Sequence, residues 1–334
     1  MKYYLLILFA LLFLISCQET KESGTYLNGN AFGTEYHIKY FEEEDYGNEI
    51  DAIVEEVNQS VSTYLPTSAI TKVNEGDSTI VVDVIFVHVL KLSQRIHQES
   101  EGYFDPTVGV LRNAYGFGDD EPLKRMDSTV LDSLRHMVGL SKIRLTETNQ
   151  IRKENSNTYL DFNAIAKGYG IDLIGEFLES KGIENYLIEL GGEIRTQGKN
   201  TEKNKSWMVG VEGIDSELKD RSYTHTLKLE NQSLASSGNY RKFRMDSLSG
   251  NKYVHTINPL TGKAEQTNIT STSVIAKTCA EADAYATTIM AMGHEKTIEF
   301  LKRVKDIEVY YTYLDEQNKA KEYMTEGFKK QLVE

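Results

Sequence analysis

The chain has 334 residues, 40% of them hydrophobic and 26% charged, which is enough to bury a large core and excludes a disordered or fibrous protein. Its net charge of −13 repels a nucleic-acid backbone, so we expect no DNA or RNA partner.

The first segment, MKYYLLILFALLFLISC, indicates an exported protein. One lysine precedes an apolar run that is too short to span a membrane, which is typical of a secretory signal. LISC resembles a bacterial lipoprotein box, so residues 1–17 are expected to be a lipoprotein signal peptide, with Cys17 lipidated (palmitate included) and residues 18–27 forming a tether. The expected location is the periplasmic face of the inner membrane. An ordinary cleaved signal peptide with a chance cysteine is the alternative.

Strands and helices follow in an order that favours an α+β fold. NAFGTEYHIKYF alternates like a strand, whereas NEIDAIVEEVNQSVSTYL and VIFVHVLKLSQRIHQES carry apolar residues at helical spacing. NAIAKGYGIDLIGEFLESKG and CAEADAYATTIMAMG are also predicted helices, and most of the segments between them are strand-like. Because strands come in runs rather than in strict alternation with helices, we predict mixed, largely antiparallel sheets with packed helices.

Several common enzyme motifs are missing from the sequence. Neither G-x-G-x-x-G nor G-x-x-x-x-G-K-[ST] occurs, so no dinucleotide fingerprint or P-loop is present. There is no G-x-S-x-G elbow, and no two histidines are four residues apart on a predicted helix. Zinc hydrolases and hydrolases with a serine nucleophile are therefore disfavoured.

The helix CAEADAYATTIMAMG suggests a site for a hard cation. Asp283 and Thr287 are four residues apart, so their oxygens project from one helical face about 6 Å apart at the Cβ atoms, a spacing that suits two ligands of Mg²⁺. The alternative is structural: Asp283 caps or pairs locally, and Thr287 bonds back to the preceding turn.

The segment YLDFNAIAKGYGID suggests a phosphate site. Asp161 is predicted to end a strand, small residues follow it, and Lys167 places a positive charge at the start of a helix, where N–H groups also attract phosphate. The alternative is a small-residue helix packed tightly on a sheet, with Lys167 in solvent.

Aromatic residues in Gly- and Pro-rich segments suggest a pocket for a planar heterocycle. Tyr64, Phe104, Tyr115 and Phe117 fall outside the periodic core positions. They could equally form a small core beneath long loops, and His255 could be an ordinary strand histidine.

Taken together and in order, these segments resemble the ApbE family, the FAD:protein FMN transferases. The similarity covers residues 28–334 and implies a single flavin transferase domain with an ApbE-like, T-fold-related architecture. The segments that carry it are GTEYHI, STYLPTSAITKVN, FDPTVGVLRNAYGFG, LDFNAIAKGYGID, ELGGEIRTQG, LASSGNYRKF, HTINPLTGK and AEADAYATTIMAMG.

The resemblance also implies which residues form the site. Mg²⁺ would be held by the Ala164 carbonyl, Asp283 and Thr287. Contacts to the flavin and the pyrophosphate would come from Tyr64, Phe104, Asp105, Asp161, Lys167 and the segment from His255 to Ile257. The family usually has methionine before the Gly-Thr pair, whereas this chain has Phe32. Phe32 is therefore expected to bind the cofactor by covering a ring, with stacking on the flavin that differs from the family's.

The implied reaction is transfer of FMN from FAD to a threonine hydroxyl of an exported acceptor, with release of AMP. Lys167 would assist the metal, and His255 or Asp283 would take the hydroxyl proton. The acceptor would be a subunit of a membrane redox complex. The alternatives are a Mg²⁺-dependent FAD pyrophosphatase and a noncatalytic FAD-binding lipoprotein.

Overall fold

A computed structural model describes residues 24–118, 121–212, 223–239, 243–245 and 252–333. The helices in these ranges are α1 Gly47–Val61, α2 Ala69–Asn74, α3 Val84–Glu99, α4 Gly109–Tyr115, α5 Ser128–Arg135, α6 Ala166–Ser180, α7 Cys279–Met292, α8 His294–Phe300 and α9 Glu326–Gln331. A 3₁₀ turn covers Leu140–Lys142. The strands are β1 Thr25–Ala31, β2 Thr34–Tyr40, β3 Ile143–Leu145, β4 Ile151–Lys153, β5 Tyr186–Leu190, β6 Glu193–Gln197, β7 Trp207–Glu212, β8 Tyr223–Leu229, β9 Ser233–Gly238, β10 Phe243–Met245, β11 Lys252–Val254, β12 Ile269–Ala276, β13 Glu308–Leu314 and β14 Ala320–Met324.

An eight-stranded sheet forms the centre of the fold, in the order β1-β2-β5-β6-β9-β12-β13-β14. Every neighbouring pair in this sheet is antiparallel. Within the described part of the chain, three two-stranded sheets accompany it: β3-β4, β7-β8 and β10-β11. The predicted α+β fold with largely antiparallel sheets is therefore confirmed.

Helix α7 is buried on almost every side, which explains its composition. Small residues such as Ala282 and Ala286 let it pack beside β9 and β12, where Ala235 and Val274 belong to the same core. The helix begins after Thr278, whose hydroxyl accepts from the Glu281 N–H. It ends at Gly293, whose φ of 77° is one that glycine adopts readily. A helix this apolar can hold an acidic residue only where a specific partner or ligand compensates for its burial.

Two predictions at the N-terminus have different outcomes. Residues 25–27, which the sequence predicts to be part of the tether, instead begin β1, where Thr25 pairs with Tyr40 and Leu27 with Ile38. The polar sequence TYLNGNA conceals this strand because its stability comes from pairing with β2 rather than from its own apolar content.

The signal peptide and Cys17 lie outside the described residues. Within the described ranges, each helix is too short or too polar to cross a bilayer.

Candidate active site

A cavity of about 450 Å³ lies at one end of the central sheet. Its wall includes the start of β6 at Glu193, the end of β9 at Ser236–Gly238 and the start of β12 at Ser271–Ser273. The first turn of α6 and one face of α7 complete this side of the cavity. The loops that follow α3 and β11 contribute to its opposite side.

Twelve residues that were predicted from the sequence line this one cavity. They are Tyr64, Phe104, Asp105, Phe117, Asp161, Ala164, Lys167, His255, Thr256, Ile257, Asp283 and Thr287. Phe32 is not among the lining residues. Its ring packs against the protein core and against α6, where a Cβ on Gly170 would lie only 2.6 Å from it.

The approach of α6 to α7 brings the basic and acidic residues together. A Cβ on Gly168 would lie 2.4 Å from the Cys279 carbonyl oxygen, so only glycine allows this separation of the helices. The Gly168 N–H donates to Asp283 Oδ2 over 3.3 Å. The small residues of this segment therefore serve close packing, which was one part of the structural alternative. The other part, a Lys167 in solvent, is not observed, because the Lys167 ammonium pairs with the buried Glu193.

Asp283 and Thr287 do not follow the structural alternative either. Asp283 is bonded across to α6 rather than within its own helix. The hydroxyl that bonds back to the preceding turn belongs to Thr288, which donates to the Ala284 carbonyl over 2.7 Å. No described residue forms a hydrogen bond with the Thr287 hydroxyl. Thr288 thus stabilises the helix, and the adjacent Thr287 faces the cavity.

The donor set fits a hard divalent cation. Among the described residues, no N–H donates to the Ala164 carbonyl, so this oxygen, the Thr287 hydroxyl and the Asp283 carboxylate all remain available as ligands. The described residues contain no cluster of three His, Cys, Asp or Glu side chains suited to a metal. A single carboxylate with two neutral oxygens is typical of Mg²⁺ sites that substrate phosphates complete.

Lys167 forms a charge cluster with two buried acids. Its Nζ atom lies 2.5 Å from Glu193 Oε2. Burial would lower the pKa of Lys167, but Glu193 and Asp283 together raise it above the ordinary value. Burial raises the pKa of the Asp283 carboxyl, and Lys167 opposes this shift. Burial likewise raises the pKa of Glu193 to about 7, again against the effect of Lys167.

Glu193 was missed as a site residue in the sequence. The Gly191-Gly192 pair has φ values of 61° and 106°, which allow a tight hairpin between β5 and β6. This turn places Glu193 in the cavity wall, 5% exposed. The only signal was an acidic residue directly after two glycines in ELGGEIRTQG, and the same pattern occurs in ordinary surface hairpins.

Arg112 was missed as well. It lies in α4 and contacts Asp161, with Nη1 3.0 Å from Oδ2, while Nη2 donates to the Tyr64 hydroxyl over 2.6 Å. Asp161 itself lies in a loop rather than at the end of a strand, because Tyr159 forms only an isolated bridge with Val108. Asp161 Oδ1 accepts from the Asn163 N–H and orders the loop that leads to Ala164.

The remaining predicted residues occupy the opposite wall. Asp105 lines the cavity, but its carboxylate accepts from the N–H groups of Thr107 and Leu140, so it orders the local backbone. His255 directly follows β11 and is not a strand residue, and Ile257 packs in a small apolar cluster. A larger neighbouring cavity of about 770 Å³ shares Asp105 and Pro259 but includes none of the predicted metal ligands.

A buried acid fixes the start of α7. Asp172 accepts from the N–H groups of Cys279 and Ala280, both over 2.8 Å, and it pairs with Arg195 at 2.8 Å. The first turn of α7 is thereby attached to α6 and β6, which keeps Asp283 in register with Lys167.

The chain is similar to a well-defined group of known proteins. A model of the ApbE family matches residues 32–311. The FAD:protein FMN transferase of Vibrio cholerae serotype O1 is 34% identical over 306 residues, covering 89% of both chains. The FAD:protein FMN transferase of Haemophilus influenzae is also 34% identical, covering 87% of this chain and 86% of that protein.

Solved structures agree with these sequence matches. The flavin transferase ApbE from Vibrio cholerae has a TM-score of 0.82 with this chain at 32% identity, covering 93% of this chain and 99% of the other. The flavinyl transferase ApbE of Pseudomonas stutzeri, at 23% identity, shares the fold with a TM-score of 0.80 over 92% of this chain and 96% of its own.

Proposed function

The chain belongs to the ApbE family, and we propose on this basis that it is an FAD:protein FMN transferase that requires Mg²⁺. It transfers FMN from FAD to a threonine hydroxyl of an exported acceptor protein and releases AMP. The observation that carries the proposal is the meeting of Ala164, Asp283, Thr287 and Lys167, from separate parts of the chain, in one cavity.

In the proposed reaction the threonine oxygen attacks the phosphorus on the FMN side of FAD. A new P–O bond forms to threonine, the P–O bond to the bridging oxygen breaks, and that oxygen leaves with AMP. Ala164, Asp283 and Thr287 would hold Mg²⁺, which supplies Lewis-acid stabilisation of the phosphate charges when bound.

The protein's own groups then position the substrates and move a proton. The Lys167 ammonium lies beside Glu193 in the cavity wall, and in the proposed reaction it stabilises negative charge on the pyrophosphate. The imidazole of His255 takes the proton of the attacking hydroxyl, since the ordinary pKa of histidine, about 6.5, suits a base at neutral pH. Asp283 is the other candidate base. If His255→Ala turns over FAD and acceptor at the wild-type rate, His255 is not the base.

Incubation with FAD and a threonine-containing acceptor tests the activity. We expect covalent flavin fluorescence on the acceptor band of a denaturing gel, together with one AMP for each flavin attached. Free FMN and AMP without a labelled acceptor would instead identify a pyrophosphatase. Tight binding of FAD without AMP formation in the presence of Mg²⁺ would identify a binding protein, and either result would contradict the proposal.

We further propose that the protein is exported and attached to the membrane by lipid on Cys17, on the periplasmic face of the inner membrane. Its acceptor would then be a subunit of a membrane redox complex on the same side. Cys17→Ser should move the protein from the membrane fraction to the soluble fraction after cell disruption. A Cys17→Ser protein that stays in the membrane fraction would contradict lipid attachment at this residue.

A further inference from the structure

Arg112 connects two residues of the cavity wall that lie far apart in sequence. Its Nη1 atom lies 3.0 Å from Asp161 Oδ2, and its Nη2 atom donates a 2.6 Å hydrogen bond to the Tyr64 hydroxyl. The guanidinium carbon lies 5.3 Å from the centroid of the Tyr64 ring. One rigid planar group therefore fixes the tyrosine relative to the carboxylate.

The two ends of this connection differ in burial. The side chains of Asp161 and Arg112 are 4% and 14% exposed, whereas Tyr64 is 58% exposed. The buried carboxylate anchors the guanidinium, and the guanidinium in turn restricts the exposed ring. A ring that is ordered before a ligand arrives costs less conformational entropy on binding.

We infer that Arg112 is a positioning residue for the flavin nucleotide. It holds the Tyr64 ring at the solvent edge of the cavity in an orientation that covers a planar heterocycle. It also neutralises Asp161, which would otherwise repel the negatively charged pyrophosphate. The inference rests on the proposed function, because FAD is the nucleotide concerned.

Lysine cannot replace arginine in this role. A lysine at position 112 could keep its charge beside Asp161, but a single ammonium cannot match the planar fork that reaches Asp161 and Tyr64 together. Arg112→Lys therefore removes the positioning while it retains the neutralisation. Tyr64→Phe removes the same hydrogen bond from the other side: the aromatic ring is still present, but the guanidinium no longer holds it through the hydroxyl.

Direct binding of FAD tests the inference without any turnover. Dissociation constants are measured by flavin fluorescence in Mg²⁺ for the wild type, Arg112→Lys, Tyr64→Phe and the double variant. Each single change should weaken binding about three- to tenfold, the cost of ordering one side chain. The double variant should bind no more weakly than the weaker single variant, because both changes break one connection.

Arg152→Lys is the matched control. Arg152 also bonds through two arms, to the Ser78 carbonyl and to Gln150, and it is not a lining residue of the cavity. Its FAD affinity should equal that of the wild type. Thermal unfolding of all variants verifies that they fold. If Arg112→Lys does not fold, Tyr64→Phe still tests the inference.

Two results would overturn the inference. One is an affinity for FAD in Arg112→Lys or in Tyr64→Phe that equals the affinity of the wild type. The other is a double variant whose loss equals the product of the two single losses, which would make the residues independent. If the wild type itself fails to bind FAD, the proposed function fails as well. If the wild type binds FAD tightly and the variants bind it equally well, only the inference about Arg112 is contradicted.

Discussion

The ammonium of Lys167 lies 2.5 Å from the carboxylate of Glu193, and both groups line the cavity that contains Asp283. Lys167→Met would leave two buried acids with no compensating charge. We expect a loss of about 3 kcal/mol in the free energy of unfolding, which is typical of a broken buried pair. The double variant Lys167→Met/Glu193→Gln should recover part of this loss in urea unfolding experiments.

Recovery of stability should not restore activity in that double variant. If Lys167 acts on the pyrophosphate, both variants should transfer FMN at a small fraction of the wild-type rate. A stable double variant with wild-type turnover would show that Lys167 serves only to balance the buried acids.

The adjacent residues Thr287 and Thr288 provide a controlled test of the metal site. Thr287→Val removes a hydroxyl that faces the cavity, and Thr288→Val removes one that bonds to the Ala284 carbonyl. We expect Thr287→Val to weaken Mg²⁺ activation roughly 10- to 100-fold, whereas Thr288→Val retains it. The measurement is the transfer rate as a function of Mg²⁺ concentration after removal of metal with EDTA. Equal Mg²⁺ dependence in the two variants would argue against Thr287 as a ligand.

Gly168 tests whether the close contact between α6 and α7 holds the site together. In Gly168→Ala the new methyl group would lie 2.4 Å from the Cys279 carbonyl oxygen, so the helices must separate. We expect a loss of about 1–3 kcal/mol in stability and a lower affinity for FAD and Mg²⁺. Gly47→Ala, at the start of α1, is the control: its methyl group would approach only the end of the Asp45 side chain, at 3.1 Å, so stability should change by less than about 0.5 kcal/mol. Unchanged FAD affinity in Gly168→Ala would contradict this account.

The buried Tyr115 and the partly buried Tyr169 should make the protein sensitive to alkali. Burial raises the pKa of Tyr115 and of Tyr169 to about 12. Because the folded state holds these protons more tightly than the unfolded state, their contribution is complete below about pH 10. This contribution to stability is lost as the pH rises from about 10 through 12.

Thermal unfolding between pH 8 and pH 11.5 measures this effect. Tyr115→Phe and Tyr169→Phe should each flatten the decline of the melting temperature with pH. Tyr26→Phe, at an exposed position on β1, should leave the decline unchanged. A decline that is identical in all three variants would assign the alkaline sensitivity to other groups.

The sequence predicted the parts of the site that depend on local order along the chain. Asp283 and Thr287 share a helical face because they are four residues apart, and Lys167 lies in the first turn of a helix. These are properties of single segments, so spacing indicated them, but a purely structural role for each residue stayed open until the family resemblance was considered. The family resemblance then supplied the loop residues, and the structure brings them to the same cavity.

Residues that depend on contacts between segments could not be predicted in this way. Glu193 reaches the cavity only because the β5–β6 turn faces the first turn of α6, and Arg112 acquires its partners only when α4 packs beside the loop of Asp161. Phe32 was placed in the site because of its position before Gly33-Thr34. The packing of its ring against Gly170 is a property of the fold, which no local pattern contains.

The most direct test of the central claim is the position of the metal. Crystals soaked with Mn²⁺ and FAD should give an anomalous peak in the cavity, at roughly 2.0–2.2 Å from the Ala164 carbonyl, the Asp283 carboxylate and the Thr287 hydroxyl, in contact with the pyrophosphate. A peak elsewhere, with FAD bound and these three oxygens without metal, would contradict the account.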